Sequence, residues 1–314
     1  MSAPVLKTVT RTQGNNAALK DGTVRPQGVV FEFEEVPVLV HAFRRMVRGL
    51  EFDVCEMALT TYLCAREHGV RFTALPVFLV RAFHHGAILH NTSFPVRNLK
   101  DLEGKRIGVN RGYTVTAGVW ARAVLQEQYG VDLSTVTWVR SGDEHVESYQ
   151  PPANVISIES ENTIEQMLAT NDLAAAINIA AHDPEIQPVI TNALDAGISV
   201  YQRDGYYPIN HLIVVRDEVL EVYPKVAIAV FNAFAEAKNL YLDRLRAGTI
   251  ENPSKTDQLY ARIMEISGDP LPYGIEPNRQ VLENLIGHAM TQKILRKPVE
   301  VDAIFAPETR ELIA

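Results

Sequence analysis

The stretch FTALPVFLVRAFHHGAILHNTSFPVRNLKDLEGKRIGVNRGYTVTAGVWA, residues 72–121, decides the fold. It reads as two buried strands that hold Arg81, His84 and His85, then a turn, then a third strand ending in Asn110, Arg111 and Gly112. A helix is expected to open at Thr114 or Thr116. A strand that runs into a hydroxyl-capped helix start leaves several backbone N–H groups without partners, and the helix dipole adds positive potential there. Such a place binds anions. With Arg111 at its mouth and Arg81, His84 and His85 at a neighbouring strand end, the expected ligand is a small molecule carrying carboxylates or a similar anion. Asn110, Tyr113, Thr114 and Thr116, which form the turn, are candidate contacts.

Upstream of this stretch, residues 5–10 and 24–33 read as strands and residues 38–49 as a helix whose Arg44, Arg45 and Arg48 make a solvated face. Residues 52–62 begin as a short apolar strand that delivers Glu56. An unpaired buried charge costs several kcal/mol, so Glu56 reads either as a ligand-site residue at a strand end or as the partner of a nearby arginine. Downstream, residues 87–90 read as a connector leaving the first sheet, and 105–110 as the first strand of a second unit. Residues 114–129 form an amphipathic helix with Arg122 and Gln126 on its polar side. The loop 141–152 carries Asp143, Glu144, His145 and Glu147 without metal-ligand periodicity and reads as solvated. A helix at 163–170, a buried strand at 173–178 and a helix at 189–194 follow. Residues 205–215 then return as a strand with Tyr206, Tyr207, Asn210 and His211, and the remainder is mostly helical.

Strands interleaved with helices mean an α/β protein with largely parallel sheets. Connectors near 86–92 and 199–206 make residues 92–202 an insertion into a first lobe built from 1–88 and 206–314.

The totals exclude several classes. A chain of 314 residues, 46% hydrophobic and 22% charged, is a globular protein long enough for two ordinary lobes. Its formal charge of -8 and the lack of any basic stripe argue against a nucleic-acid partner. No window approaches the ~18–20 apolar residues of a membrane helix. The N-terminal residues lack an apolar core after a basic start, so the sequence leads one to expect a cytoplasmic protein. Cys55 and Cys64 are too few for a disulfide scaffold and read as buried thiols, Cys55 lying next to Glu56. The sequence leaves open whether the chain forms a homo-oligomer.

The segments FDVCEMALTTYL, TALPVFLVRAFHHGAI, GKRIGVNRGYTVTAGVWARAVL and YYPINHLIVV, in that order and spacing, resemble the 4,5-dihydroxyphthalate decarboxylase family. The resemblance spans residues 24 to about 224. It implies a two-lobed type 2 periplasmic-binding-protein-like fold with a ligand cleft between lobes. It also implies a carboxy-lyase that uses no cofactor and no metal on a small anionic aromatic substrate. The positions that match the family are Glu56, Arg81, His85, Thr116, Trp120, Pro208 and His211. His84 stands where an arginine is expected, Asn110-Arg111-Gly112 replaces a more acidic segment, and Asn210 replaces a bulkier apolar residue.

Direct loss of CO2 from an aromatic ring would leave an aryl carbanion. Protonating the ring carbon first gives a dienone-like intermediate from which CO2 departs as aromaticity returns. The chemistry calls for a general acid, a group that engages the phenol, and cations for the carboxylates. His211 or His85 is expected as the acid, Glu56 as the group at the phenol, and Arg81 with Arg111 as clamps. Tyr207 and Trp120 would flank the ring, with His84 and Asn210 among the substrate contacts. The alternative from a different class is a non-catalytic solute-binding protein for an aromatic or other carboxylate. A metal site at His84, His85 and His90 is disfavoured, because strand alternation sends the first two to opposite faces.

Overall fold

The computed structural model describes residues 3–94, 96–159, 161–180 and 182–314. Met1 and Ser2, at the head of the terminus inspected for an export signal, and Pro95, within the opening stretch, lie outside the described residues. The chain forms two compact units, one of Met1–Arg81, Ile209–Glu283 and Val299–Ala314, the other of Ala82–Pro208 and Asn284–Pro298. No helix among the described residues is long and apolar enough to cross a membrane.

The first unit begins with β1 (Val5–Val9), α1 (Ala17–Lys20), β2 (Val30–Phe33), α2 (Leu39–Gly49), β3 (Val54–Ala58), α3 (Leu59–Glu67) and β4 (Phe72–Arg81). The second unit contributes β5 (Ile88–Asn91), β6 (Arg106–Val109), α4 (Thr116–Tyr129), β7 (Thr137–Arg140), β8 (Val155–Ser157), α5 (Ile164–Ala169), β9 (Ala175–Ile177), β10 (Ile186–Pro188) and α6 (Ala193–Asp204). The chain then re-enters the first unit with β11 (Ile209–Arg216), α7 (Asp217–Val222), α8 (Val226–Arg246), α9 (Lys255–Ser267) and α10 (Arg279–Thr291), whose last part belongs to the second unit.

The first sheet has the order β2-β1-β3-β11-β4. β1 lies parallel to β2 and β3, whereas β11 runs antiparallel between β3 and β4. β3 holds the centre because every residue of VCEMA is buried, which is how a strand covered on both faces reads. Around it, α2 buries Ala42, Phe43, Met46 and Val47 at helical spacing and ends where Leu50 turns left-handed at φ 48°. α9 starts on a reciprocal cap in which Ser254 Oγ accepts from Asp257 N and Asp257 Oδ2 accepts from Ser254 N. The register of β11 against β4 shifts between Ile209 and Ile213, and His211 lies within that irregularity. Such bulges re-aim side chains.

The second sheet has the order β10-β5-β9-β6-β7-β8, parallel from β9 to β8 and antiparallel at β5 and β10. Both sheets are therefore mixed. Its core packs Leu89, Val139, Ile164, Met167, Leu168 and Leu173 beneath the strands. Gly108 on β6 is required by that packing, since a Cβ there would meet Ile164 and Leu173 at 2.6 and 2.9 Å.

Several expectations change. Of residues 24–33 only Val30–Phe33 pairs, along β1. The connector expected at 87–90 is β5, because its alternating residues find partners in both β9 and β10. The helix expected at 189–194 begins only at Ala193, after β10, and ends at Gly205 in the left-handed region. The second unit also spans Ala82–Pro208 rather than 92–202, and it takes in Asn284–Pro298. The physical reason for that last segment is Gln292, which accepts from Arg122 Nε at 2.7 Å and donates to Val119 O at 3.0 Å.

Candidate functional site

In the first unit, Glu56 on β3 and His211 on β11 come together. His211 pairs with Ala58 and Ile213 with Glu56, so Glu56 is the diagonal neighbour of His211 on one face. His211 Nδ1 donates to Glu56 Oε1 at 2.6 Å, the glutamate side chain fully buried and the imidazole 20% exposed. The second carboxylate oxygen, Oε2, accepts from Arg11 N at 3.0 Å, and Gln13 Nε2 lies 3.4 Å from both oxygens. Phe43 packs edge-on to the imidazole, centroids 5.2 Å apart. A buried carboxylate that binds Nδ1–H fixes the tautomer and the ring, and Nε2 is the nitrogen left for chemistry. Both Glu56 oxygens thus have donors, His211 on one and the Arg11 amide on the other.

Arg81 and Asn210 lie in the same unit, both buried. Arg81 ends β4 opposite Ile209, its guanidinium donating to Asn278 Oδ1 and lying 5.8 Å from the Phe78 ring. Asn278 is itself held by the carbonyls of Pro272 and Gly274. The Arg81 side chain is thus tied into the packing of the first unit.

In the second unit the expected anion site is present and filled by the chain itself. The turn after β6 bends at Arg111, which takes φ 71° and donates its N–H to Ser141 Oγ at 2.8 Å. Glu144 from the following loop then docks on the turn. Its Oε1 accepts from Tyr113 N at 2.6 Å, and its Oε2 accepts from Thr114 N at 3.1 Å and Thr114 Oγ1 at 2.7 Å. Gly112 makes the approach feasible, since a Cβ there would lie 2.6 Å from Glu144 Oε2. The loop expected to be solvated therefore buries Glu144 and His145, because the amides of the turn attract the carboxylate. The expected hydroxyl cap is absent too: Val115 occupies the N-cap without a side-chain bond, and Thr114 serves Glu144 instead.

Arg122 departs furthest from its expected polar face. It is fully buried, donates to Tyr113 O at 2.7 Å, and stacks on the Tyr113 ring at 3.9 Å. The peptide group joining Tyr113 to Thr114 is thereby held between a guanidinium at its carbonyl and a carboxylate at its N–H. Burial lowers the Arg122 pKa from its ordinary value, partly opposed by Glu144 nearby.

The remaining candidates of the second unit disperse. His84 caps a 3-10 turn that His85 enters, and His90 lies on β5, so the strand-alternation argument applied to these histidines has no strand under it. His85 Nε2 is 2.9 Å from Gln128 Oε1, Nδ1 finds no hydrogen-bond partner among the described residues, and burial lowers its pKa. Trp120 is fully buried, edge-on to Tyr206 and His288 at 5.3 and 5.4 Å. Tyr207 belongs to an aromatic group with Phe83 and Tyr201, centroids 5.0 and 5.4 Å away. Asn110 donates to Asn178 O at 2.7 Å, Thr116 is buried at the first turn of α4, and the Arg111 side chain is exposed. Arg11, Gln13, Asn278 and Gln292 were not singled out from the sequence; each acts through a contact more than 40 residues away in the chain.

Comparison with known proteins follows the same lines. No family model matches the chain. The 4,5-dihydroxyphthalate decarboxylase of Comamonas testosteroni is 29% identical over 312 residues, covering 93% of each chain. That of Pseudomonas putida is 36% identical over 169 residues, 51% of this chain and 64% of the relative. The chain is thus similar in sequence to two 4,5-dihydroxyphthalate decarboxylases, to one of them over nearly its whole length. Among solved structures, the alkanesulfonate-binding protein SsuA of Xanthomonas axonopodis pv. citri aligns over 97% of this chain and 98% of its own, with a TM-score of 0.55 and 17% identity. The desulfurization enzyme DszB aligns over 98% and 97%, with a TM-score of 0.54 and 16% identity. A Candida albicans protein described as having the generic periplasmic-binding-protein fold aligns over 95% and 93%, with a TM-score of 0.53 and 14% identity. The fold is accordingly periplasmic-binding-protein-like.

Proposed function

We propose that this protein is a cofactor-independent decarboxylase of a hydroxylated, phthalate-like aromatic acid, with His211 as the proton donor. The observation that carries the reading is the 2.6 Å bond between His211 Nδ1 and the buried Glu56 carboxylate, in a chain related throughout its length to 4,5-dihydroxyphthalate decarboxylases. His211 acts as the imidazolium, with Nδ1–H on Glu56, and its Nε2 gives a proton to the ring carbon that bears the departing carboxylate, while the ring hydroxyl gives its proton to solvent and becomes the dienone oxygen. The C–C bond then breaks, CO2 leaves, the bond electrons restore the aromatic ring and return the oxygen to a phenolate, and solvent protonates that oxygen and Nε2, so one proton is consumed overall. Glu56 keeps the imidazole oriented through both steps, and the Arg11 and Gln13 contacts keep Glu56 in place.

The test is incubation of the purified protein with 4,5-dihydroxyphthalate and a panel of hydroxybenzoic and phthalic acids, read by CO2 release and mass spectrometry. Release of CO2 with the matching hydroxybenzoate as product is expected. Retention of an unaltered acid would make the protein a binder, and the catalytic reading would be abandoned.

A further inference from the structure

The donor on the second Glu56 oxygen has a charge behind it. The N–H that Arg11 gives to Glu56 Oε2 at 3.0 Å belongs to the peptide group joining Thr10 to Arg11. The oxygen of that same group, Thr10 O, accepts from Lys20 Nζ at 2.7 Å. One peptide therefore stands between an ammonium and a carboxylate, and the row continues through Glu56 Oε1 to His211 Nδ1 at 2.6 Å. Hydrogen bonds in such a row polarise one another, and the low dielectric of a buried site strengthens them. Thr10 and Glu56 are fully buried, and the Lys20 side chain is 9% exposed.

Lys20 is held in place from every side. An ammonium has three donors, and its partners are Thr10 O, Thr12 Oγ1 at 3.0 Å and Glu35 Oε1 at 2.6 Å. It also lies 5.2 Å from the centre of the Phe33 ring at the end of β2. Its counter-charge, Glu35, is 65% exposed, so solvent screens that carboxylate far more than it screens the buried peptide. The loop itself is shaped by a different residue. Buried Asn16 accepts from Gln13 N at 2.8 Å through Oδ1 and donates to Arg11 O at 2.9 Å through Nδ2. Asn16 sets the path of the turn, and Lys20 sets the charge on the peptide that faces Glu56.

We infer that Lys20 is a positioning residue for the proposed decarboxylation, acting on His211 through the Thr10–Arg11 peptide and Glu56. A peptide polarised by the ammonium donates more strongly to Oε2. With Oε2 fixed, the plane of the carboxylate keeps Oε1 on Nδ1 while Nε2 delivers its proton. The inference rests on the decarboxylase reading for its effect on turnover, whereas the coupling of Lys20 to His211 stands apart from it.

The test compares three variants by turnover of 4,5-dihydroxyphthalate, by thermal melting, and by NMR of the Arg11 amide and the His211 imidazole. Lys20→Met keeps the apolar stem without the charge, Lys20→Arg keeps a donor cation, and Thr12→Val removes another partner of the ammonium while leaving its bond to Thr10 O. Lys20→Met is expected to lower kcat about 10-fold with KM near that of the wild type. It should also move the Arg11 amide proton upfield, as its bond to Oε2 weakens, and displace the His211 Nδ1 proton signal. Lys20→Arg should recover most of both effects. Thr12→Val should lower the melting temperature with kcat and both signals near wild type. If Lys20→Met fails to fold, Lys20→Gln, which keeps a donor without the charge, is read in the same way. Wild-type kcat and unmoved signals in a folded, uncharged variant overturn the inference even if CO2 is released. Equal effects from Thr12→Val overturn it too, because the lysine would then act through loop packing alone. A His211 signal that depends on Lys20, in a wild type that releases no CO2, supports the coupling and defeats the decarboxylase reading instead.

Discussion

The two units each bury one carboxylate next to a strand, and the difference lies in what meets it. Glu56 in the first unit meets an imidazole that is partly open to solvent. Glu144 in the second unit meets two backbone amides and a threonine hydroxyl, all buried. In the proposed reaction the imidazole carries the proton, and the first carboxylate serves that chemistry. Partners that can only donate make the second a fastener, and it occupies a turn that would otherwise suit a ligand anion. Anion-binding geometry in a sequence therefore does not say whose anion is bound.

The comparison can be broken by substitution. The largest effect is expected from His211→Asn, which should lower CO2 release by about 10²–10⁴-fold with a small change in melting temperature; an active variant would remove His211 from the chemistry. Glu144→Gln should leave intrinsic chemistry alone but destabilise the second unit by about 3 kcal/mol, because three donors lose a charged acceptor in a dry site. Glu56→Gln should show the reverse pattern, a fall in kcat larger than the fall in stability. Equal loss of stability in both glutamine variants, measured by denaturant unfolding, would erase the distinction drawn between the two carboxylates. Gly112→Ala should mimic Glu144→Gln more weakly, by about 1–3 kcal/mol, since the added methyl displaces the carboxylate from the turn.

A smaller effect concerns pH. Burial pushes His288 down to about 4, so the folded protein keeps it neutral where an unfolded chain, with a value near 6.5, takes up a proton. The unfolded state then binds more protons between pH 4 and 6.5, and stability falls as pH drops through that window. Replacing His288 with Gln should flatten this part of the pH–stability profile. A slope unchanged by the substitution would assign it to other histidines, among them buried His85 and half-buried His90, whose values burial also lowers.

Much of the architecture was legible because it rests on local signals. Periodicity located β1, α2, β3, α4 and the C-terminal helices, and the segments around Glu56 and His211 carry the resemblance to the 4,5-dihydroxyphthalate decarboxylases. The errors share one cause, which is partnership across long stretches of sequence. Whether 87–90 is a connector or a strand depends on β9 and β10, some 85–100 residues away. Arg122 looked solvent-facing because no pattern in its own helix reveals that Tyr113 O and Gln292 will satisfy it. Glu144 looked solvated because a polar loop gives no sign that a preceding turn will offer it three donors. Glu56 and His211 were each singled out, yet nothing in their own segments shows that they hydrogen-bond to each other or that the Arg11 amide sits on the other Glu56 oxygen.

The peptide group joining Tyr113 to Thr114 is clasped at both ends, by Arg122 on its oxygen and Glu144 on its nitrogen. An amide clasped in this way cannot meet solvent by the fraying of one loop; the carboxylate and the surrounding turn must come apart together. In deuterium-exchange measurements the Thr114 amide should be among the slowest of the second unit to exchange, at a rate set by the cooperative opening of that whole unit. The turn that first looked like a docking point for visitors would then act as a clock for how often the unit unlocks.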